Sequence, residues 1–221
     1  MKLKILILTT IIVLTSCVST KTYSGYVEKK LETQKNSTDI QNESISFDLS
    51  QLELQNNSVE SEKVKSFFIP AILYWGWENT IECKISPAIV GQTFKSSFLN
   101  CADSLGLFNK LNEQQIEISI EKIPTSFVYT NKGNTMIFII AYTVSELEAI
   151  YPQEQNLVIN YKLIKNGQTT KTGKLIATNK DKPIKNIWKS TKKFTWLYID
   201  KFDNNIKVLT NDIVEQLLKQ I

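Results

Sequence analysis

Apolar and polar residues along this chain fall into segments of different period. The first is an unbroken apolar run from Ile5 to Leu14, preceded by Lys2 and Lys4 and followed by small residues up to Cys17. Charge, apolar stretch and small residues in that order predict a signal peptide over residues 1–16, too short to remain as a membrane-spanning helix. From Val18 to about Lys63, Ser, Thr, Asn, Gln, Glu and Lys dominate and aromatics are few. Such a composition buries too little apolar area to offset its ordering entropy, so residues 17–63 are expected to form a flexible polar tether. A weak alternation at Ile45, Phe47, Leu49, Leu52 and Leu54 is compatible with a short docked helix or strand.

A domain is expected over 64–221. It opens with KSFFIPAILYWGWE, which reads as one strand apolar on both faces, with Ile69, Ala71, Leu73, Trp75 and Trp77 on one side and Phe68, Ile72 and Tyr74 on the other. Pro70 places that end at an edge or a bulge. Ser86-Pro87 then signals a helix start. Val90, Phe94, Phe98, Cys101, Ala102 and Leu105 follow as one apolar stripe, and Gly106 is the stop.

Ile116, Ile118 and Ile120 alternate with Glu117, Ser119 and Glu121, the pattern of a half-buried strand. SFVYT leads to a turn at Asn131-Lys132-Gly133, and TMIFIIAYTVSE reads as a buried strand. After Tyr151-Pro152, NLVINYKLI and TKTGKLIAT flank Asn166-Gly167, a hairpin signal. These four strands predict an antiparallel meander. From Asp181 the pattern turns helical through Ile184, Ile187, Trp188, Trp196 and Leu197, then Ile206, Leu209, Ile213, Leu217 and Ile221. A break is placed at Asp203-Asn204-Asn205, leaving one kinked helix or two open. The order β-α-β-β-β-β-α describes an α+β fold, mainly antiparallel sheet with amphipathic helices on one face.

Composition narrows the chemistry. There is no histidine and no arginine, so all 26 basic residues are lysines. Serine-histidine triads, imidazole bases, HExxH zinc sites and bidentate guanidinium contacts to phosphates or bases are therefore excluded. The net charge of +4 includes Lys2 and Lys4, so the mature chain is close to neutral and is not expected to bind nucleic acid. No cofactor or metal motif is present. Glu117 and Glu121 share a strand's polar face, and Glu146, Glu148 and Glu154 flank a turn, which reads as solvated surface. Ser190-Thr191-Lys192-Lys193 and Lys171-Thr172-Gly173 fit fragments of a serine-lysine acyl transferase in the wrong order for that fold. Cys83 and Cys101 stand out of step along their elements, which favours buried unpaired thiols over a disulfide. In LYWGWENT, Tyr74, Trp75 and Trp77 surround Gly76, and they are candidates for either core packing or a partner interface.

Leu14-Thr15-Ser16-Cys17 resembles the bacterial lipobox, which implies acylation of Cys17 and a membrane anchor. Val18 to Thr22 carry no acidic residue, which in that family implies the outer membrane, with the body facing the periplasm. The order of elements over 64–221 resembles small envelope lipoproteins of the lipopolysaccharide-assembly, ABC-transport auxiliary and penicillin-binding-protein activator types. The resemblance implies a non-catalytic lipoprotein that binds an envelope partner and assists outer-membrane assembly or transport. The alternative is a lipid-anchored glycan-binding protein or carboxylate-based hydrolase of the periplasm. Oligomeric state is not legible.

Overall fold

The computed structural model describes residues 18–34, 44–53, 59–138, 141–153, 156–179 and 181–221; the signal segment and Cys17 lie outside them. In chain order the elements are α1 (Thr20–Gln34), β1 (Ile45–Asp48), α2 (Ser50–Glu53), β2 (Glu60–Pro70), β3 (Tyr74–Lys84), α3 (Pro87–Ser104) and α4 (Leu107–Leu111). They continue as β4 (Gln115–Lys122), β5 (Ser126–Ile137), β6 (Tyr142–Pro152), β7 (Asn156–Lys165), β8 (Gln168–Thr178), β9 (Ile184–Asn186) and α5 (Thr191–Gln220). The fold is α+β and predominantly antiparallel. Its strands form two sheets instead of one meander, ordered β1-β4-β7-β8 and β2-β3-β5-β6-β9.

Local chemistry accounts for the smaller sheet. Ile116, Ile118 and Ile120 of β4 are buried, while Glu117 and Glu121 on the opposite face pair with Lys162 at 3.0 Å and Lys174 at 2.5 Å. Asn166 (φ 52°) and Gly167 (φ 76°) join β7 to β8, and two left-handed residues are what a tight hairpin of this twist requires.

The larger sheet departs from the expected reading. KSFFIPAILYWGWE is two strands, not one, because the chain folds back at residues 71–73, where the Ala71 N–H donates to the Tyr74 carbonyl at 2.8 Å. Proline has no amide to give to the ladder, and Pro70 ends β2 at this reversal. Folding back also changes the faces: Phe68 stands opposite Trp77 and Pro70 opposite Trp75. Conversely, β5 runs straight through Asn131-Lys132-Gly133. Its turn comes later, closed by the Phe138 N–H on the Ala141 carbonyl at 2.7 Å.

The core lies between the sheets and the helices. Ile81, Cys83, Phe127, Tyr129 and Ile150 come from the larger sheet, Ile118, Ile159 and Tyr161 from the smaller one. Phe94 and Phe98 of α3 and Phe194, Tyr198, Ile199, Ile213 and Leu217 of α5 complete it, and α3 packs on α5. α3 starts at Pro87 as expected, although the buried Ser86 hydroxyl makes no capping bond. α5 is one helix, unbroken at Asp203-Asn204-Asn205, where Asn204 faces solvent and the apolar stripe resumes at Ile206. Ile184 to Asn186 form a strand, not a helix. Cys83 is buried and Cys101 partly exposed, and both are unpaired.

The stretch expected to be a tether differs most. Tyr23 and Val27 of α1 are fully buried, with Leu31 packed beside them. The Trp196 indole donates to the Tyr26 carbonyl at 2.9 Å, and Lys30 pairs with Asp200 at 2.7 Å. β1 adds a parallel strand to β4 and Leu52 is buried. Few apolar residues suffice here because Tyr23, Val27 and Leu31 recur every fourth position and present one stripe to α5 and the larger sheet.

Candidate functional site

One rung divides the larger sheet. Asn79, Asn131, Glu148 and Asn186 stand opposite one another on β3, β5, β6 and β9. On one side of it, Ile81, Cys83, Phe127 and Tyr129 are buried in the core. On the other side, two hairpins, β2-β3 and β5-β6, continue to residues 71–73 and to Phe138 and Ala141. Their tips are joined by the Ile137 N–H donating to the Leu73 carbonyl at 2.8 Å.

The rung is built from polar groups. Glu148 is buried, accepting from the Tyr129 hydroxyl at 2.8 Å and from the Asn186 amide. Burial first, and then the Glu148 carboxylate, push the Tyr129 phenol above its ordinary range. Glu148 thus ties β5 to β9 and is not the solvated residue expected. The Asn79 amide donates to the Val18 carbonyl at 3.1 Å. The start of α1 is therefore fixed at this level of the sheet.

Tyr74, Trp75 and Trp77 lie beyond the rung, half-buried. Trp75 and Trp77 share the face that carries Ile81 and Cys83 nearer the body. The Trp77 indole donates to Asn131 Oδ1 at 2.9 Å, and its ring lies across Gly133, where a Cβ would stand 2.5 Å from its Cζ2. Tyr74 lies across Gly76 on the opposite face, 2.9 Å from where a Cβ would be. The rings are neither core nor freely exposed; Tyr74 and Trp77 each cover bare backbone on one face of the extended sheet.

Around them is a surface that the sequence did not assign. Ile72 is 92% exposed, and Phe67, Phe68, Ile69, Leu73, Met136 and Phe138 are exposed as well. Ile187 and Trp188, the latter 94% exposed, follow directly on Asn186 of the rung. Large apolar side chains left open together at one end of a sheet mark a contact surface. One signal was available: no residue from Ser66 to Trp77 carries a charge.

Comparisons with protein-family models, curated proteins and solved structures returned no match. The extended sheet therefore stands on its own geometry.

Other chemistry is sparse. Lys171 donates to the Gln220 carbonyl at 2.6 Å at the end of α5, whereas Ser190 and Lys193 sit at its start, about 40 Å away at ~1.5 Å per residue. The two acyl-transferase fragments do not meet. Among the described residues no three His, Cys, Asp or Glu side chains gather to hold a metal ion, and no helix is long and apolar enough to cross a membrane. A groove lined by Leu31, Ile85, Val90 and Phe202 has room for a single water, about 20 Å³.

Proposed function

We propose that this is a lipid-anchored envelope protein, held in the outer membrane by acyl chains on Cys17 with its body in the periplasm. It assists assembly or transport by binding, and not by catalysis. The observation that carries this reading is the apolar end of the larger sheet, held clear of the helices and presenting Ile72, Leu73, Phe138 and the rings of Tyr74, Trp75 and Trp77. An enzyme of this composition would rely on carboxylates or lysines converging in a cleft, and the acidic residues of β4 are instead engaged with lysines on an open face.

The test is metabolic labelling with a fatty acid in cells expressing the wild-type chain or Cys17→Ser, followed by separation of inner and outer membranes. Label on the wild type alone, in the outer-membrane fraction, is the expected result. Label that persists in Cys17→Ser removes the anchor from the reading, and a labelled protein held at the inner membrane removes the proposed location.

A further inference from the structure

We propose that the two joined hairpin tips enter the same bilayer that holds the acyl chains of Cys17, giving the protein a second, non-covalent membrane contact that fixes its orientation. This rests on the lipid-anchor reading and names the binding partner of the apolar end as lipid.

The charge pattern is the first argument. Neither the stretch from Ser66 to Trp77 nor that from Gly133 to Ser145 contains a charged residue, yet each is bounded by charge: Lys65, Glu78, Lys132 and Glu146. The register brings these boundaries together. Glu78 faces Lys132, Gly133 faces Glu146, and Lys65 pairs with Glu78 at 2.7 Å. Lys65 stands opposite Thr80, so on four strands the larger sheet changes from charged to charge-free between the levels of Trp77 and Thr80 on β3. A protein-docking surface needs only a polar rim; an end free of charge on each of these strands suits a lipid surface.

Dimensions agree. Ile72 stands six residues beyond Glu78, about 20 Å at ~3.3 Å per residue, and about 10 Å beyond Trp75. Penetration of about 10 Å puts Ile72, Leu73 and Phe138 among the acyl chains, Tyr74, Trp75 and Trp77 at headgroup level where amphipathic rings collect, and the four charges in water. Deeper entry is opposed by the outer edge of β2 and the part of β6 that β9 leaves uncovered, since hydrocarbon does not tolerate open sheet edges. At the tips, the amides of Ala71, Ile137 and Phe138 donate to carbonyls of the hairpins.

The anchor is the independent argument. Val18, which follows Cys17 in the sequence, is tied to Asn79, one residue behind Glu78, so the described chain enters the fold beside the charge boundary. α1 runs from there toward the body, as the contacts of Tyr23 with Tyr129 and of Lys30 with Asp200 show. The start of α1 and the charge-free ends of the hairpins therefore lie toward the same end of the larger sheet, and Asn186, which precedes Ile187 and Trp188, shares the rung of Asn79.

The experiment uses the full chain, isolated with its fatty-acid label and placed in phospholipid vesicles. An environment-sensitive fluorophore is attached at Ile72→Cys, Phe138→Cys or, as control, Asn112→Cys in an exposed turn between α4 and β4, each in a Cys101→Ser background. Emission shifted to the blue and quenched by lipids carrying a nitroxide on the acyl chain, at positions 72 and 138 but not at 112, supports the proposal. Fatty acid on the protein with a fluorophore at 72 as wet as at 112 overturns it and leaves the anchor standing. Quenching at 72 and 138 without fatty acid removes the anchor and supports the tip contact. A fluorophore shielded from water yet untouched by the lipid quencher means that a protein, or a second copy of this chain, covers the tips, and the proposal fails.

Discussion

The indole of Trp77 lies across the backbone of Gly133 and donates to Asn131 on the same strand. A side chain at Gly133 would meet the ring at 2.5 Å and the Ser145 carbonyl at closer range still, so both the ring and the β5-β6 pairing would have to shift. Gly133→Ala is expected to cost about 1–3 kcal/mol, as other overpacked sites do. A lower denaturant midpoint together with red-shifted tryptophan emission checks it; an unchanged midpoint would mean that the ring does not rest on this glycine.

Gly25 makes the opposite case. It sits on the exposed side of α1, where an added Cβ meets nothing within 4 Å. Gly25→Ala should therefore stabilise the whole domain by about 0.5–1 kcal/mol, since alanine is the better helix former. The measurement is global: if α1 is docked through Tyr23 and Val27, the gain appears in the cooperative unfolding midpoint. Were residues 18–34 a loose tether, the midpoint would not move.

Those two glycines also show what the sequence could reveal. Asn166-Gly167 was legible because only a few residue types accept two left-handed conformations in succession, and Ser86-Pro87 because proline is tolerated at a helix start. Gly133 looked like turn chemistry and serves instead to admit an aromatic ring. The reversal at Ala71-Ile72-Leu73 was not legible because it contains none of the usual turn residues, and its exposed apolar side chains look like the middle of a strand. α1 escaped notice because three apolar residues among many polar ones carry little signal until a partner surface is known. Tyr74, Trp75 and Trp77 were found as candidates, while their neighbours Ile72, Leu73 and Phe138 became apparent only once register had brought the two hairpins together.

Cys83 gives the pH dependence a defined sign. Burial pushes its thiol from an ordinary value of 9.0 up to about 12. The folded state therefore holds a proton that the unfolded state releases above pH ~9, and the associated stability is present below that pH and lost as pH rises from ~9 toward 12. Cys83→Ala removes this dependence. The stability advantage of the wild type over Cys83→Ala should shrink by about 1.4 kcal/mol per pH unit above 9. Urea midpoints at pH 7, 9 and 10 measure it, and a constant difference would show that the thiol titrates as though exposed.

On the acid side the informative group is Glu121. Its hydrogen bond with Lys174, and a second with Asn160, hold the carboxyl below the usual range. A lowered value contributes stability above the unfolded pKa and loses it as pH falls through the folded one. This residue is exposed, so the expected readout is the titration itself. Lys174→Ala should return Glu121 toward the ordinary carboxylate value in an NMR titration, and an unchanged curve would assign the shift to another neighbour.

Tyr129 and Asn186 both donate to Glu148 from opposite sides, and through it β5 is tied to β9 at the level where helical cover ends. Tyr129→Phe keeps the packed ring against Tyr23 but leaves one oxygen of a buried carboxyl without its donor. The expected cost is about 1–3 kcal/mol. Because Asn186 begins the segment that carries Ile187 and Trp188, the two substitutions should not be independent. Tyr129→Phe combined with Asn186→Ala is expected to cost less than the sum of the single changes, since removal of either donor already weakens the hold of Glu148 on the other. Denaturant midpoints for the four chains of this cycle measure the coupling. Strict additivity would mean that the carboxyl serves two separate contacts and does not act as one tie across the sheet.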